Sequence, residues 1–527
     1  MLRCIVGPCL VLLTSIAAVW PNPCQAASAS INASEVRTDR YLESVRKTPG
    51  LLLAFLRDMP KGADLHSHLW GAVYAESIIQ WAVEDDDCVD PKALVLLAPP
   101  CKAMSNSVSV ATALTDPVLY RNLIDAFSMR NWKFSGQSGH DHFFDSFDKF
   151  AAAANVSAGR MLAETASRAA SQRVIYQELM QTFTGNVFKD MVQKTPWSDD
   201  LVQMQKLLGE NGMDGAVQEA RELTDSAEAS RNTVLGCSSE KPAPGCTVPQ
   251  RYLFQVLRGT PKNVVFAQML LGFELASSDP RFVGINLVMP EDYYVPMNDF
   301  PVHMRMLQYL HGIYPNVHIA LHAGELAIGM VPPEGLQFHI RQSVETGHAE
   351  RIGHGADVMS ELRPMELMRE MADRNIMVEI CLTSNEMILG VSGKAHPLHQ
   401  YMGASVPVAL ATDDEGVLRS DMTLEYRKGV EEQDLTYIQL KNMARTSLEH
   451  AFLPGASLWS NAKGFVAVRE CAADLSSAKP ASTRCQRFLD GSEKARLQWK
   501  LEREFREFES RPWTASPAGE VSRPPVH

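Results

Sequence analysis

Eight short apolar runs, separated by stretches of helical sequence, constrain the fold more than any other feature of this chain. Runs that are continuously apolar, rather than alternating, are typical of parallel strands buried on both faces. Eight such strands joined by helices predict an α/β fold, a (β/α)8 TIM barrel rather than an open sheet. The predicted strands are residues 61–69, 174–179, 264–268, 282–287, 318–322, 351–354, 377–382 and 406–412.

The composition is that of an ordinary globular protein, with 45% hydrophobic and 21% charged residues. A net charge of −12 argues against nucleic acid or an anionic membrane as the main partner, because both select a basic surface. Beyond the N-terminus, no segment is apolar enough to span a bilayer. The sequence does not fix the oligomeric state, and a homodimer is an open alternative.

The N-terminus has the pattern of a secretory signal. A short basic start at residues 1–3 is followed by a mostly apolar run at 5–20 and by small residues near 25–29. That order predicts a signal peptide over residues 1–27 and an exported protein. The destination, periplasmic or extracellular, is not distinguished.

The remaining chain divides into three predicted regions. Residues 28–58 are expected to form an N-terminal helical segment, and residues 59–460 the barrel. Insertions into the barrel are expected at about 85–150 and 190–255, the second of them mostly helical. Residues 461–527 are expected to form a C-terminal helical extension that ends in a Pro-rich, disordered tail.

The cysteines agree with export. Seven of the ten cysteines follow the predicted signal, and six of these form close pairs in loop-like sequence. We predict three local disulfides and one buried free thiol, Cys381, in an apolar strand. The predicted pairs are Cys88/Cys101, Cys237/Cys246 and Cys471/Cys485.

Histidines and acidic residues stand at the carboxyl ends of four predicted strands, where active sites of these barrels lie. His66 and His68, at i and i+2 on a strand, point to the same side. Each of these residues alone is compatible with an ordinary structural role, but together they predict a metal-centred site, with Zn²⁺ the favoured ion. The full set is His66, His68, His322, Glu325, His354, Asp413 and Asp414.

A single ion is favoured, because the strand Gly284–Val288 contains no lysine that could be modified to bridge two metals. A bound Zn²⁺ lowers the pKa of water to about 7. Glu325, three residues after His322, is placed to move protons for such a water.

The ordered motifs resemble those of the adenosine deaminase family, in the amidohydrolase superfamily. The resemblance extends over about residues 59–455, and the export signal and long insertions are similar to the secreted, growth-factor-like branch. The motifs are Met59-Pro60-Lys61-Gly62 with His66-x-His68, His322-Ala323-Gly324-Glu325, Arg351-Ile352-Gly353-His354-Gly355, Leu382-Thr383-Ser384-Asn385 and Thr412-Asp413-Asp414.

The resemblance implies roles for these residues in deaminating a purine nucleoside. His66, His68, His322 and Asp413 would hold one zinc ion. Glu325 would protonate ring nitrogen N1, and His354 would orient the attacking hydroxide. Asp414 would bond to N7 and the backbone of Gly284 to N3. Phe143, Phe144 and Phe147 resemble the family's apolar wall over the substrate.

Two departures from the family pattern leave the substrate open. Trp70 stands where the family usually has an aspartate that holds the sugar, and an indole cannot accept a hydrogen bond. Glu415 replaces the usual proline after the two aspartates. The expected reaction is zinc-dependent conversion of adenosine or 2'-deoxyadenosine to the inosine product and ammonia. The alternatives are adenine or a modified nucleoside as substrate, hydrolysis of another C–N bond, and a secreted binding or signalling protein with an inactive barrel.

Overall fold

The computed structural model describes residues 33–101, 106–475 and 481–513. The predicted signal peptide and the last part of the predicted tail lie outside these residues. The strands are β1 (Gly62–His68), β2 (Cys88–Asp90), β3 (Val95–Leu97), β4 (Val108–Ser109), β5 (Val174–Gln181), β6 (Gln250–Leu257), β7 (Phe282–Val288), β8 (His318–Ala323), β9 (Arg351–His354), β10 (Met377–Ile380), β11 (Val408–Leu410), β12 (Trp459–Asn461) and β13 (Val466–Ala467).

Helices connect and surround the strands. They are α1 (Ala33–Val45), α2 (Pro49–Asp58), α3 (Ala75–Glu84), α4 (Pro117–Ala126), α5 (Gly139–Ala154), α6 (Ala158–Ser171), α7 (Asn186–Lys194), α8 (Leu201–Asn211), α9 (Met213–Val234), α10 (Lys262–Ser278), α11 (Tyr294–Ile313), α12 (His339–Glu345), α13 (Pro364–Asp373), α14 (Leu382–Leu389), α15 (Leu398–Gly403), α16 (Met422–Glu432), α17 (Tyr437–His450), α18 (Ala472–Leu475), α19 (Thr483–Asp490) and α20 (Glu493–Ser510). None of the helices among the described residues is long and apolar enough to cross a bilayer.

Eight parallel strands form the predicted barrel, in the order β1-β5-β6-β7-β8-β9-β10-β11. The segment after β11 closes the sheet against β1: the N–H of Asp413 donates to the carbonyl of His66 (2.8 Å), and the N–H of His68 donates to the carbonyl of Asp413 (3.3 Å). At the same seam the Asp64 carboxylate accepts from the hydroxyl of Thr412, 348 positions along the chain, at 2.5 Å. The first and last strands are therefore joined directly.

One predicted strand was wrong. Residues 264–268 lie in α10, a helix with ten buried residues, and the strand in that place is β6. A short apolar run cannot be assigned by periodicity alone, and here the apolar character continues for a full helix length. In β6, Gln and Arg interrupt the apolar pattern directly after a Pro-rich loop, so the sequence resembled part of the insertion.

The insertions build a cap beside the mouth of the barrel. The first carries the antiparallel sheet β3-β2-β4 and then α4 and α5, and the second carries α7, α8 and α9. All three predicted disulfides are formed, and Cys381 is free and buried. Three cystines in one chain are typical of an oxidising compartment.

The N-terminal helices pack against the end of the chain. The ring of Phe55 on α2 meets that of Phe508 on α20 edge-on at 5.0 Å. Lys441 on α17 bonds both Glu35 on α1 (3.0 Å) and Glu509 on α20 (2.5 Å). These contacts fasten both ends of the described chain to the barrel.

Candidate metal and catalytic site

Four side chains converge at the carboxyl end of the barrel. His66 and His68 come from the end of β1, His322 from β8, and Asp413 from the segment that closes the barrel after β11. Each offers one ligand atom, and these atoms all lie within 4.8 Å of one another. Nε2 of His68 is 3.1 Å from Nε2 of His322 and 3.4 Å from Oδ1 of Asp413. The structure thus brings together the four residues predicted as ligands.

Each imidazole in this cluster is held through its other ring nitrogen. Nδ1 of His66 lies 2.6 Å from Oε2 of Glu379, that of His68 2.9 Å from Oε1 of Gln255, and that of His322 2.8 Å from Oδ1 of Asn286. Oxygen acceptors at Nδ1 place the ring proton there and leave the Nε2 lone pairs directed to the centre.

The cluster fits a divalent cation. Nε2 of His66 and Oδ1 of Asp413 are buried and have no hydrogen-bond partner among the described residues, which is costly for a polar atom unless a ligand satisfies it. Three imidazole nitrogens and one carboxylate oxygen form a donor set that suits Zn²⁺ and leaves a position for water.

Glu379 connects this cluster to a buried ion pair. Burial would raise the pKa of Glu379, but Arg351 and His66 together lower it below its ordinary value. Burial lowers the pKa of His66, but the nearby carboxylates of Asp413 and Glu379 outweigh this effect and raise that pKa to about 10. A metal ion at Nε2 of His66 therefore competes with a proton for the site.

Glu325 and His354 lie beside the cluster. Nε2 of His354 is 3.6 Å from Oε1 of Glu325 and 4.0 Å from Oδ2 of Asp413. Burial, reinforced by the Asp413 carboxylate, raises the pKa of Glu325 to about 8. The charge of a bound cation acts on that carboxyl in the opposite direction. His354 has a left-handed backbone (φ +65°), a conformation that non-glycine residues adopt mainly where the surroundings enforce it.

A buried Glu–Arg pair fixes the loop that carries Glu325. The carboxylate of Glu291 accepts the N–H groups of Gly324 (3.2 Å) and Glu325 (2.7 Å). Arg258, which has no exposed surface, donates to the carbonyl oxygens of His322 and Met289 at 3.0 Å each. Both ends of the segment from His322 to Glu325 are thus held by charge-assisted hydrogen bonds.

Asp414 directly follows Asp413 and lines the cavity in front of the cluster. Its side chain is buried, and Oδ1 has no hydrogen-bond partner in the part of the chain that the structure describes. Burial and the adjacent Asp413 carboxylate raise the pKa of Asp414 well above its usual range. A protonated carboxyl can donate one hydrogen bond through its O–H, which an ionised carboxylate cannot do.

A cavity of about 650 Å³ opens in front of these groups, within the range of small-molecule sites. Helix α5 supplies an aromatic wall to it, and Trp70 lies in the turn after β1. The sequence-predicted residues that line the cavity are His68, Trp70, Phe143, Phe144, Phe147, His322, Glu325, Asp413 and Asp414.

Gly284 was predicted to contact the substrate, and the structure corrects this. Gly284 is the third residue of β7 and pairs with His318 at the beginning of β8. It therefore lies toward the amino ends of the strands, whereas the cavity is at the carboxyl ends. The β7 strand runs on to Val288, and Val288, Met289 and Pro290 line the cavity instead.

Several residues of the site were not identified from the sequence. Glu379, Asn286 and Gln255 all lie within strands and bond the ligand imidazoles, and Glu291 and Arg258 hold the Glu325 loop. The available signal was a polar residue within an apolar run, as in Met377-Val378-Glu379-Ile380, since buried strands rarely contain one without a partner.

Part of this chain is similar to a known family. Residues 234–458 match the family model described as adenosine deaminase. An adenosine deaminase from Escherichia coli (strain SE11) is 36% identical over 137 residues, which are 26% of this chain and 38% of the relative. The alignment thus covers well under half of that relative's length.

Solved structures with a similar fold include an adenine deaminase from Arthrobacter aurescens, with a TM-score of 0.49 and 17% identity over 75% of this chain and 94% of that one. An N6-mAMP deaminase from Arabidopsis has a TM-score of 0.48 and 19% identity over 76% and 96%. The barrel is assigned from its own strand order rather than from these likenesses. His322, Glu325, His354 and Asp413 lie inside the segment of this chain that is similar to the adenosine deaminase family model.

Proposed function

We propose that the protein is a zinc-dependent hydrolase that converts adenosine or 2'-deoxyadenosine and water to inosine or 2'-deoxyinosine and ammonia. One observation carries the proposal: three imidazole nitrogens and one carboxylate oxygen lie within 4.8 Å of one another, beside Glu325 and at the floor of a cavity with an aromatic wall. The family match supports the reaction class.

Deamination at C6 requires an activated water, a proton for ring nitrogen N1 and a proton for the departing ammonia. Zn²⁺ held by His66, His68, His322 and Asp413 would supply the acidity that makes water nucleophilic at neutral pH. Glu325 donates its proton to N1 and takes one from the attacking water. His354 directs its ring nitrogen at the same water, and Asp414 donates to N7.

Trp70 bears on how the protein would bind the sugar of a nucleoside substrate. Trp70 lines the cavity and can stack on a ligand or donate one hydrogen bond, but it cannot accept one from a sugar hydroxyl. This observation favours a second candidate within the same chemistry, a deaminase of adenine or of a modified nucleoside. A binding protein with an inactive barrel is disfavoured, since such a role does not need a buried proton carrier beside the metal ligands.

We also propose that the protein acts outside the cytoplasm, in the periplasm or the extracellular space. The three cystines support an oxidising location. Mass spectrometry of the mature N-terminus from the native host tests this part: cleavage near residue 27 is expected, and an intact Met1 would contradict it.

The decisive experiment measures metal content together with ammonia release from adenosine, 2'-deoxyadenosine and adenine. We expect one zinc per chain and turnover of at least one of the three. Glu325→Gln is the matched control, which should keep the zinc and lose nearly all turnover. Full activity in that variant would refute the role of Glu325, and a folded, zinc-loaded protein with no ammonia release would refute the function.

A further inference from the structure

A line of three hydrogen bonds runs from the main chain to the ring of His354. The N–H of Leu398 donates to Nδ1 of His396 (3.2 Å), and Nε2 of His396 lies 3.0 Å from Oδ1 of Asn385. Nδ2 of Asn385 in turn lies 3.1 Å from Nδ1 of His354. Asn385 and His354 have no exposed surface and His396 has 1%, so water does not substitute for any of these partners.

The first hydrogen bond, from the N–H of Leu398, determines which atom donates in each of the other two. A main-chain N–H is always a donor, so Nδ1 of His396 carries a lone pair, and the proton of the neutral ring is on Nε2. That Nε2–H donates to the amide oxygen of Asn385. The amide nitrogen of Asn385 can only donate, and Nδ1 of His354 accepts. If the Asn385 amide were reversed, Nε2 of His396 would have to accept and Nδ1 would carry the proton. That N–H would then point at the N–H of Leu398, so two donors would face each other.

The consequence for His354 is a proton on Nε2. That nitrogen is buried, has no hydrogen-bond partner within residues 33–101, 106–475 and 481–513, and lies near Glu325 (3.6 Å) and Asp413 (4.0 Å). An Nε2–H is a hydrogen-bond donor and has no lone pair to give to a metal ion. His354 therefore faces the reacting water as a donor.

This protonation state also decides between two overlapping groups of potential ligands. Besides the four predicted ligands, a second group has its ligand atoms within 4.8 Å of one another, and it shares two members with the first. Distance alone does not separate the two groups. The members of the second group are His66, His354, Cys381 and Asp413.

We propose that Asn385 and His396 are positioning residues that hold the proton on Nε2 of His354, making this histidine a donor to the reacting water and excluding it from the ligands of the metal. The inference rests on the proposed deamination for its catalytic meaning. The Leu382–Asn385 motif contributes no metal ligand, and this proposal gives its Asn385 the role of positioning His354. Cys381 stays a buried thiol rather than a ligand.

The first test compares two substitutions at Asn385. Asn385→Asp keeps the shape but replaces the amide donor with an acceptor, so His354 must protonate Nδ1. We expect kcat to fall about 10⁴-fold, the scale of loss when an enzyme's histidine is held in the wrong tautomer, with KM little changed. Asn385→Ala imposes neither tautomer, and we expect a loss of at most about 100-fold.

A purely structural role predicts the opposite order, because alanine leaves a cavity and unpaired buried groups whereas aspartate is isosteric. An Asn385→Ala variant less active than Asn385→Asp would overturn the proposal. Thermal unfolding and zinc content of both variants identify any loss that comes from misfolding or loss of metal.

The second test reads the tautomer directly by ¹⁵N NMR of histidine-labelled protein, with the His354 signals identified by their loss in His354→Gln. We expect protonated Nε2 in the wild type and protonated Nδ1 in Asn385→Asp. Protonated Nδ1 in the wild type would overturn the proposal. Because this measurement needs no turnover, it separates failure of the inference from failure of the proposed function.

Discussion

Nδ1 of His66 lies 2.6 Å from Oε2 of Glu379, and both side chains are shut off from solvent. The other oxygen of Glu379 is 2.7 Å from Nε of Arg351, whose guanidinium also bonds Glu178 at 2.7 Å. Charged side chains from three further strands, β5, β9 and β10, therefore help to orient the imidazole of His66. The anionic partner makes His66 a stronger ligand than His68 or His322, whose partners are neutral amides.

Replacing Glu379 by Gln is expected to weaken zinc binding about 10- to 100-fold, the usual cost of losing a partner of a ligand histidine. Competition with a chromophoric chelator measures the change. Glu425→Gln is the matched control, since Glu425 is also buried but bonds Thr383 and Ser420. Equal zinc affinity in Glu379→Gln and the wild type would contradict the assignment.

Replacing Glu291 by Gln is expected to lower kcat about 100-fold with KM little changed, because small displacements of a catalytic group have effects of this size. Glutamine has only one acceptor oxygen for the N–H groups of Gly324 and Glu325. Steady-state kinetics on the best substrate measure the effect. Glu361→Gln is the control. The carboxylate of Glu361 accepts from the N–H groups of Ile340 and Arg341 and not from the Glu325 loop, so kcat should change little. Similar losses in both variants would mean that the Glu325 loop is not held specifically.

Trp70→Asp is expected to raise kcat/KM for adenosine relative to adenine by about tenfold, because it adds an acceptor for a sugar hydroxyl, worth about 1.5 kcal/mol. Trp70→Phe, which keeps an aromatic ring and adds no acceptor, should leave that ratio within about twofold of the wild type. Ammonia release from the two substrates measures it. An unchanged ratio in Trp70→Asp would place the sugar away from this residue.

Acid should destabilise the protein through His303, a histidine on α11 with no exposed surface. Burial lowers its pKa to about 4, below the 6.5 of an exposed histidine. Between those values the unfolded chain binds the extra proton, so stability is full above pH 6.5 and falls as the pH drops toward 4, by about 3 kcal/mol.

Urea unfolding of the metal-free protein at pH 7 and pH 4.5 measures this loss without interference from metal release. The variant His303→Leu cannot titrate at this position and should lose less stability between the two pH values. An identical pH dependence in both proteins would show that other groups cause the acid sensitivity.

The barrel and the convergence of the four predicted ligands at its mouth were predictable because both depend on local patterns. Apolar runs mark buried strands, and polar residues at their carboxyl ends must meet at one rim, which is how His66, His322 and Asp413 were found. The same patterns led to the wrong prediction of a strand at residues 264–268, where the structure has a helix, and β6 was missed. A short apolar segment has the same appearance in a strand and in a buried helix.

The partners of the ligands were not predictable, for a different reason. Whether Glu379 meets His66, or Asn385 meets His354, depends on the register between strands and on the angle of a helix, which the sequence of either segment does not contain. Gly284 shows the same limit, because its distance from the mouth is set by how far β7 continues beyond it.

The joint between β1 and the segment after β11 has a consequence for the order of events during synthesis. A ribosome must release almost the entire barrel before Asp413 can reach His66 and His68, so a shorter nascent chain cannot assemble the four proposed ligands. An ion held by these four side chains would link β1 directly to the segment after β11, far later in the chain, and so join the two ends of the barrel sheet.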